Sequence, residues 1–121
     1  MNHVSAGKFG EKLALDFLTN QKQHYCLKTN FRLSFGELDL ITIDPEGTLV
    51  ITEVKSSRTE LEPGLWVTNK KQNQIHRLTK VLLKTLPYQF TSIRFDVITV
   101  NLNRKVVHYE NAFVPATLNY F

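Results

Sequence analysis

Two short segments of the chain place charged side chains inside strands that are otherwise apolar. Glu37 and Asp39 are separated by one residue, and so are Glu53 and Lys55. Side chains two positions apart in a strand point to the same face, and the turn signal at residues 44–47 predicts that the two strands form a hairpin. Asp39, Glu53 and Lys55 are therefore expected to converge, with Glu37 one step further along its strand.

The chemistry of this group favours a divalent cation. Burying carboxylates costs several kcal/mol unless they are paired or bind a metal. Carboxylate oxygens are hard ligands of the kind that Mg²⁺ prefers, and a lysine beside them can stabilise the charge that grows on a phosphate. The alternative from the residues alone is a pair of solvent-facing strands joined by a salt bridge between Asp39 and Lys55. The pattern by itself leaves both interpretations open.

Hydrophobic periodicity and turn signals define the elements that would position these side chains. A helix is predicted over residues 6–20, in which Gly7 and Gly10 indicate close approach of the backbone to another element. The other predicted elements are an extended segment at 25–31, strands at 38–43 and 49–55, a helix at 69–86 capped by Thr68, and strands at 93–100 and 106–109. This order predicts one mixed central sheet flanked by helices, an α/β fold.

Length and composition narrow the class of protein. The 121 residues suffice for one domain, residues 1–121, with a hydrophobic core. No apolar run approaches the roughly 18 residues that a membrane helix needs, so no membrane partner is expected. The polar N-terminus lacks a secretion signal, and the single cysteine excludes an internal disulfide and a Cys-rich zinc site. A cytoplasmic protein follows as the default.

The net charge of +4 is distributed unevenly. Residues 61–121 carry 8 basic and 3 acidic side chains, and no acid lies between residues 63 and 95. Four basic residues share one face of the predicted second helix, namely Lys70, Arg77, Lys80 and Lys84. That face is either a phosphate-binding stripe or a solvated surface. His76 is expected on the surface of the same helix.

Other side chains have structural interpretations beside functional ones. Phe35 and Trp66 are either base-stacking residues or ordinary packing residues beside loops. Arg94 and Asp96 alternate on one predicted strand, so they are expected to pair with each other or with Arg32.

Several motifs together resemble those of the YraN-like family within the restriction-endonuclease-like, or PD-(D/E)XK, nuclease superfamily. Asp39 followed by Glu53-Val54-Lys55 resembles the superfamily signature D…(E/D)-x-K. The matching segments are GKFGE at 7–11, NFR at 30–32, FGELDLI at 35–41, EVK at 53–55, KQ at 71–72, RFDV at 94–97 and NAF at 111–113. Leu38 replaces the superfamily's proline, and Ser56 stands where the family often has threonine. Neither departure removes a ligand.

The resemblance implies a restriction-endonuclease-like fold and a nuclease that uses Mg²⁺ or Mn²⁺. Asp39 and Glu53 would bind the metal, with the backbone carbonyl of Val54 as a third ligand. Lys55 would orient or activate the attacking water.

Two further carboxylates have alternative roles. Glu11 matches a first-helix glutamate of archaeal Holliday-junction resolvases, so it is either a further catalytic carboxylate or a surface residue near a helix N-terminus. Glu37 is either a further metal ligand or a hydrogen-bond anchor for the tight turn at Gly36.

Two functions are compatible with these residues. The first is a metal-dependent nuclease that hydrolyses phosphodiester bonds of DNA or RNA, branched or junction DNA included, with DNA favoured over RNA. The second is a catalytically silent nucleic-acid-binding or scaffold protein with the same fold. The intact Asp39, Glu53 and Lys55 favour the first, because a purely structural protein gains nothing evident from burying them. Cutting a junction would require two active sites, and a homodimer would provide them.

Overall fold

The computed structural model describes residues 4–57, 67–87 and 89–114. The elements are α1 (Val4–Asp16), β1 (Tyr25–Leu33), β2 (Gly36–Ile43), β3 (Leu49–Ser57), α2 (Asn69–Thr85), β4 (Ile93–Asn101) and β5 (Val106–Tyr109). A π-helical turn, Phe17–Gln21, continues α1. The predicted order of helices and strands is confirmed in the described part of the chain. Trp66 lies outside it.

The five strands form one sheet in the order β1-β2-β3-β4-β5. Strands β3 and β4 are parallel, whereas the other neighbouring strands are antiparallel. Parallel neighbours require a long crossover, and α2 lies in the connection between β3 and β4. The prediction of a mixed sheet is therefore confirmed.

The two helices cover opposite faces of the sheet. On one face, Ile75 and Leu82 of α2 join a buried cluster with residues of β2, β3 and β4. On the other face, Ala14 of α1 packs with Leu40 and Ile98. The predicted arrangement of a central sheet flanked by helices is also confirmed.

The N-terminal helix lies close to β3 because Gly10 has no side chain. A Cβ atom at Gly10 would lie 2.9 Å from the hydroxyl oxygen of Ser56 and 4.0 Å from a methyl group of Val54. Close approach at Gly10 is thus confirmed, whereas the surroundings of Gly7 are not described. The contact brings the next residue, Glu11, to the sheet.

The second helix begins as predicted, because the Thr68 hydroxyl accepts a hydrogen bond from the Lys71 amide at 3.1 Å. The expected surface position of His76 is wrong, since this residue is only 2% exposed. The buried face of α2 includes His76 and Thr79 as well as the apolar residues, so it is wider than the apolar stripe alone indicates. In the described ranges, no helix is long and apolar enough to cross a membrane.

A charged network is buried where β4 begins. The fully buried Asp96 accepts hydrogen bonds from Nε and Nη2 of Arg94 at 2.9 and 3.1 Å, and Nε2 of His108 lies 2.7 Å from its Oδ2. Arg94 also bonds Asp44 at 3.1 Å. Burial alone would raise the pKa of Asp96, but the hydrogen bonds from His108, Arg94 and the Asn111 amide hold it below its usual value. The predicted pairing of Arg94 with Asp96 is confirmed.

Candidate active site

The sheet opens between β2 and β3 next to Asp39. The register of these strands runs from Ile43 opposite Leu49 to Leu40 opposite Thr52. Beyond that point β2 continues beside β1, and β3 continues beside β4. We call the opening between β2 and β3 the acidic gap, because its boundary is formed by the carboxylates described next.

Asp39 is held in the acidic gap by the backbone of β3. The Val54 amide donates a hydrogen bond to Oδ2 of Asp39 at 2.9 Å. In an extended strand the N–H and C=O groups of one residue point to the same side, so the Val54 carbonyl also faces β2. The gap therefore presents a carboxylate and a backbone carbonyl next to each other.

Glu53 lies beside Asp39 and is buried, with 2% of its surface exposed. Its Oε1 lies 3.6 Å from Nζ of Lys71 on α2. Its Oε2 is buried without a hydrogen-bond partner. A buried carboxylate oxygen with no partner is costly, so this site has an unmet requirement for a cation or a donor.

Two glutamates complete the acidic gap. One carboxylate oxygen from each of Glu11, Glu37 and Asp39 lies within 4.8 Å of the others. Nδ2 of Asn30 donates to Oε1 of Glu11 at 2.9 Å. Nε and Nη2 of Arg32 donate to Oε2 of Glu37 at 3.1 and 2.8 Å. Asn30 and Arg32, which lie two positions apart on β1, therefore hold the two glutamates beside Asp39.

The surroundings of Asp39 disfavour its ionised form. Burial, assisted by repulsion from Glu11 and Glu37, raises the pKa of Asp39 to about 6. The hydrogen bond from the Val54 amide and the charge of Lys71 act in the opposite direction. The carboxyl group therefore carries an energetic cost when it is charged and no cation compensates it.

Glu53 is affected in the same way. Burial, followed by repulsion from Asp39, raises the pKa of Glu53 to about 7. The charges of Lys71 and Lys55 and a hydrogen bond from the Asp39 backbone amide lower it. Asp39 and Glu53 thus interact in two ways: their carboxylates repel each other, and the Asp39 backbone amide donates a hydrogen bond to the Glu53 carboxylate.

This arrangement fits a hard divalent cation. A cation held by Glu11, Glu37 and Asp39 would relieve the repulsion among these three carboxylates. These three carboxylates therefore form a group that could hold a metal ion, because carboxylate oxygens suit hard divalent cations.

The structure brings Glu11, Glu37 and Asp39 together, whereas Glu53 is not part of this group of carboxylates. Lys55 is half-buried, and its charge acts on Glu53. The four basic residues predicted to share one face of α2 are all exposed, and they divide into two groups. Lys70 and Arg77 line a cleft beside the acidic gap, whereas Lys80 and Lys84 are not among its lining residues. The catalytic and metal-binding roles of these side chains stay predictions.

Three residues that orient or balance the site were not assigned a role from the sequence. Lys71 is the ion partner of Glu53, while Asn30 and Arg32 hold Glu11 and Glu37. A signal was available for two of them, since Asn30 and Arg32 are two positions apart in a strand and precede Glu37 closely. Two signals were available for Lys71, namely its place in the first turn of a helix and its membership of the KQ segment at 71–72.

The fold and site define an α/β protein with a mixed sheet and a carboxylate-lined gap suited to a divalent cation. The family model described as "Uncharacterised protein family UPF0102" matches residues 10–100. The chain belongs to this family.

Relatives match along almost the whole chain. The UPF0102 protein of Thermodesulfovibrio yellowstonii is 39% identical over 115 residues, which cover 93% of this chain and 99% of the relative. The UPF0102 protein of Dictyoglomus turgidum is 34% identical over 121 residues, covering 93% and 100%. That of Clostridioides difficile is 36% identical over 117 residues, again covering 93% and 100%.

Among solved structures, Pyrococcus furiosus SfsA in complex with Ca²⁺ aligns with this chain at 13% identity and a TM-score of 0.26. The alignment covers 88% of this chain and 62% of the SfsA chain. The chain therefore spans less than two thirds of SfsA.

Proposed function

We propose that this protein is a metal-dependent nuclease that hydrolyses phosphodiester bonds of nucleic acid. The observation that carries the proposal is the pairing of Asp39, held in the acidic gap by the Val54 amide, with the buried Glu53, whose Oε2 has no partner. The resemblance of Asp39 and Glu53-Val54-Lys55 to the PD-(D/E)XK signature supports the same function.

The proposed ligands are residues that already face the acidic gap. Asp39, Glu53 and the Val54 carbonyl would hold Mg²⁺ or Mn²⁺. Glu11 and Glu37, which each have a carboxylate oxygen within 4.8 Å of one on Asp39, would be further carboxylates of the site. When bound, the cation supplies Lewis-acid stabilisation of the charge that develops on the phosphate.

The basic side chains have separate tasks in this proposal. Lys55 lies two residues after Glu53 on the same strand, and we assign it to the attacking water, which it would orient or activate. Lys71 offsets part of the negative charge at Glu53, so that a polyanion can approach the carboxylates. The exposed Lys70 and Arg77 extend this positive surface along α2.

A panel of labelled substrates tests the proposal. Single-stranded, duplex, nicked, flapped and four-way-junction DNA, and a single-stranded RNA, are incubated with Mg²⁺, Mn²⁺ or EDTA. We expect cleavage of at least one DNA with metal, none with EDTA, and loss of cleavage in Asp39→Asn. DNA is the first substrate class to test, and RNA in the same panel decides between the two.

The matched control is Asp16→Asn, because Asp16 is an exposed carboxylate that pairs with Lys12 on the surface of α1. This variant should cleave like the parent when both are purified in the same way. Equal cleavage by the parent and Asp39→Asn would contradict the proposal. If neither the parent nor Asp39→Asn cleaves any substrate while both bind nucleic acid, the protein is a catalytically silent nucleic-acid-binding protein.

A further inference from the structure

We propose that the cleft beside the acidic gap is a subsite for one unpaired nucleotide, so that the preferred ligand is a single strand or a flap rather than intact duplex. The inference deepens the proposed function and rests on it for the chemistry that follows binding. The shape, charge and aromatic surface of the cleft account for the binding itself.

The cleft lies between the turn that joins β1 to β2 and the first half of α2. Its volume is about 630 Å³, which is within the usual range for small-molecule sites. Lys71 lines it and also lies 3.6 Å from Glu53. A nucleotide in the cleft would therefore have its phosphate close to the acidic gap.

The charge of the lining is positive. Lys70, Lys71 and Arg77 contribute basic groups, and the other lining residues are uncharged. The N-terminus of the 17-residue helix α2 adds its dipole to this field. A positive lining suits a phosphate diester and an acidic peptide alike. The aromatic component of the cleft therefore decides between these ligands.

That aromatic component is a stacked pair. The guanidinium carbon of Arg77 lies 4.4 Å from the ring centroid of Phe35, and Arg77 is exposed. Nucleobases stack on guanidinium planes and on aromatic rings. In a duplex both faces of an internal base are covered by its neighbours, so only an unpaired or terminal base can stack on this pair.

The Phe35 member of this stacked pair is held in place before any ligand binds. The side-chain amide of Gln74 donates a hydrogen bond to the backbone carbonyl of Phe35. Gly36 permits this approach, because a Cβ atom there would lie 2.8 Å from Nε2 of Gln74. Preorganisation of this kind lowers the entropic cost of binding.

Binding measured without metal tests the inference apart from catalysis. A fluorescein-labelled oligonucleotide is titrated as a single strand and as a duplex in EDTA, and the two Kd values are compared by anisotropy. We expect the parent to prefer the single strand. Phe35→Leu should raise the single-strand Kd by at least about fivefold, the lower end of what one stacked base contributes, and should leave the duplex Kd unchanged.

One control and one further variant make the result specific. Phe9 is 43% exposed on α1 and also carries an arginine, Arg104, at 5.0 Å from its ring, but it does not line the cleft. Phe9→Leu should leave both Kd values unchanged. Because Phe35 also packs against the core, Arg77→Lys provides a second test that keeps the charge, removes the flat stacking surface and changes only an exposed side chain.

The outcomes separate the two proposals. Equal single-strand and duplex affinity in the parent, or equal losses in Phe35→Leu and Phe9→Leu, overturns the subsite. An unchanged strand preference in a folded Arg77→Lys variant also counts against it. Conversely, strand preference that Phe35→Leu and Arg77→Lys reduce, without cleavage of any substrate by the parent, supports the subsite and contradicts the nuclease.

Discussion

The backbone amide of Val54 donates a hydrogen bond to Oδ2 of Asp39 at 2.9 Å, across the gap between β3 and β2. An amide that bonds a side chain in this way is not available to a carbonyl of the neighbouring strand, and the register of β2 with β3 stops one residue before Asp39. The same hydrogen bond places the carboxylate beside Glu53. The divergence of the two strands and the acidic gap are therefore a single feature of the fold.

The first prediction concerns metal binding to the folded protein. Saturating Mn²⁺ or Mg²⁺ should raise Tm, because a ligand that binds only the folded state stabilises it by about 2.7 kcal/mol at 100 times its Kd. Thermal unfolding with and without metal measures the effect. Asp39→Asn should lose the increment and Asp16→Asn should keep it, whereas a parent melting curve that metal does not change would contradict the assigned site.

The second prediction follows from the raised pKa values of Asp39 and Glu53, about 6 and about 7. Each carboxyl binds its proton more tightly in the folded than in the unfolded state. Their contribution to the free energy of unfolding is therefore largest below about pH 4 and is lost as the pH rises through 6 to 7. Without metal, Glu53→Gln should remove part of this decline, so it should be more stable than the parent at pH 8.

Thermal melts in EDTA across this pH range provide the comparison, with the difference between variant and parent as the quantity of interest. Titration of other groups affects both proteins alike and cancels in that difference. Parallel pH profiles for the parent and Glu53→Gln would contradict the raised pKa.

The third prediction concerns the buried network around Asp96. Asp96→Asn should reduce the free energy of unfolding by about 3 kcal/mol near pH 7, because it removes one of the two carboxylates that pair with the partly buried Arg94. The pKa of Asp96 is lowered in the folded state, so its stabilisation is present above about pH 4 and is lost as the pH falls through the folded value. Urea unfolding measures both effects.

The surface carboxylate of Asp16 is again the reference, since its pairing with Lys12 is exposed and such pairs contribute little. Asp16→Asn should unfold at nearly the same urea concentration as the parent. If Asp96→Asn is no more destabilising than this control, the network has no structural importance.

The fourth prediction separates catalysis from affinity. Lys55→Ala should lower the single-turnover rate by about 10²–10³, because the lysine stabilises charge that appears in the transition state. The substitution should weaken nucleic-acid binding only slightly. It should lower the slope of log affinity against log salt concentration by about one unit. Lys84→Ala removes the same charge from an exposed position on α2, so it should change the salt dependence similarly and leave the rate unchanged. Equal rates for the two variants would mean that Lys55 has no catalytic role.

Local signals in the sequence were sufficient for the order of the elements. The turn at residues 44–47, the alternation in β2 and β3, and the Thr68 cap are each set by neighbours within a few positions. Boundaries were less accurate, because the predicted helix at 6–20 ends as α1 at Asp16 and continues as a π-helical turn. Helix ends depend on packing that periodicity does not contain.

The site was predictable to the extent that its residues follow strand spacing. Glu37 and Asp39, like Glu53 and Lys55, have positions that the two-residue repeat and the hairpin determine. Lys71 reaches Glu53 only because the crossover helix packs over the sheet, which no local pattern reveals. The buried position of His76 could not be predicted for the same reason. The contact between α2 and the sheet determines how many residues of the helix are buried.

The most direct test of the proposed function is the single-turnover cleavage rate of the best DNA substrate in Mn²⁺, measured for the parent, Glu53→Gln and Asp16→Asn. Glu53→Gln keeps the volume of the side chain but removes the charge from the buried oxygen that lacks a partner. We predict a rate reduced by about 10² or more in Glu53→Gln and unchanged in Asp16→Asn. Cleavage by Glu53→Gln at the parent rate would contradict the proposal that the acidic gap is the active site.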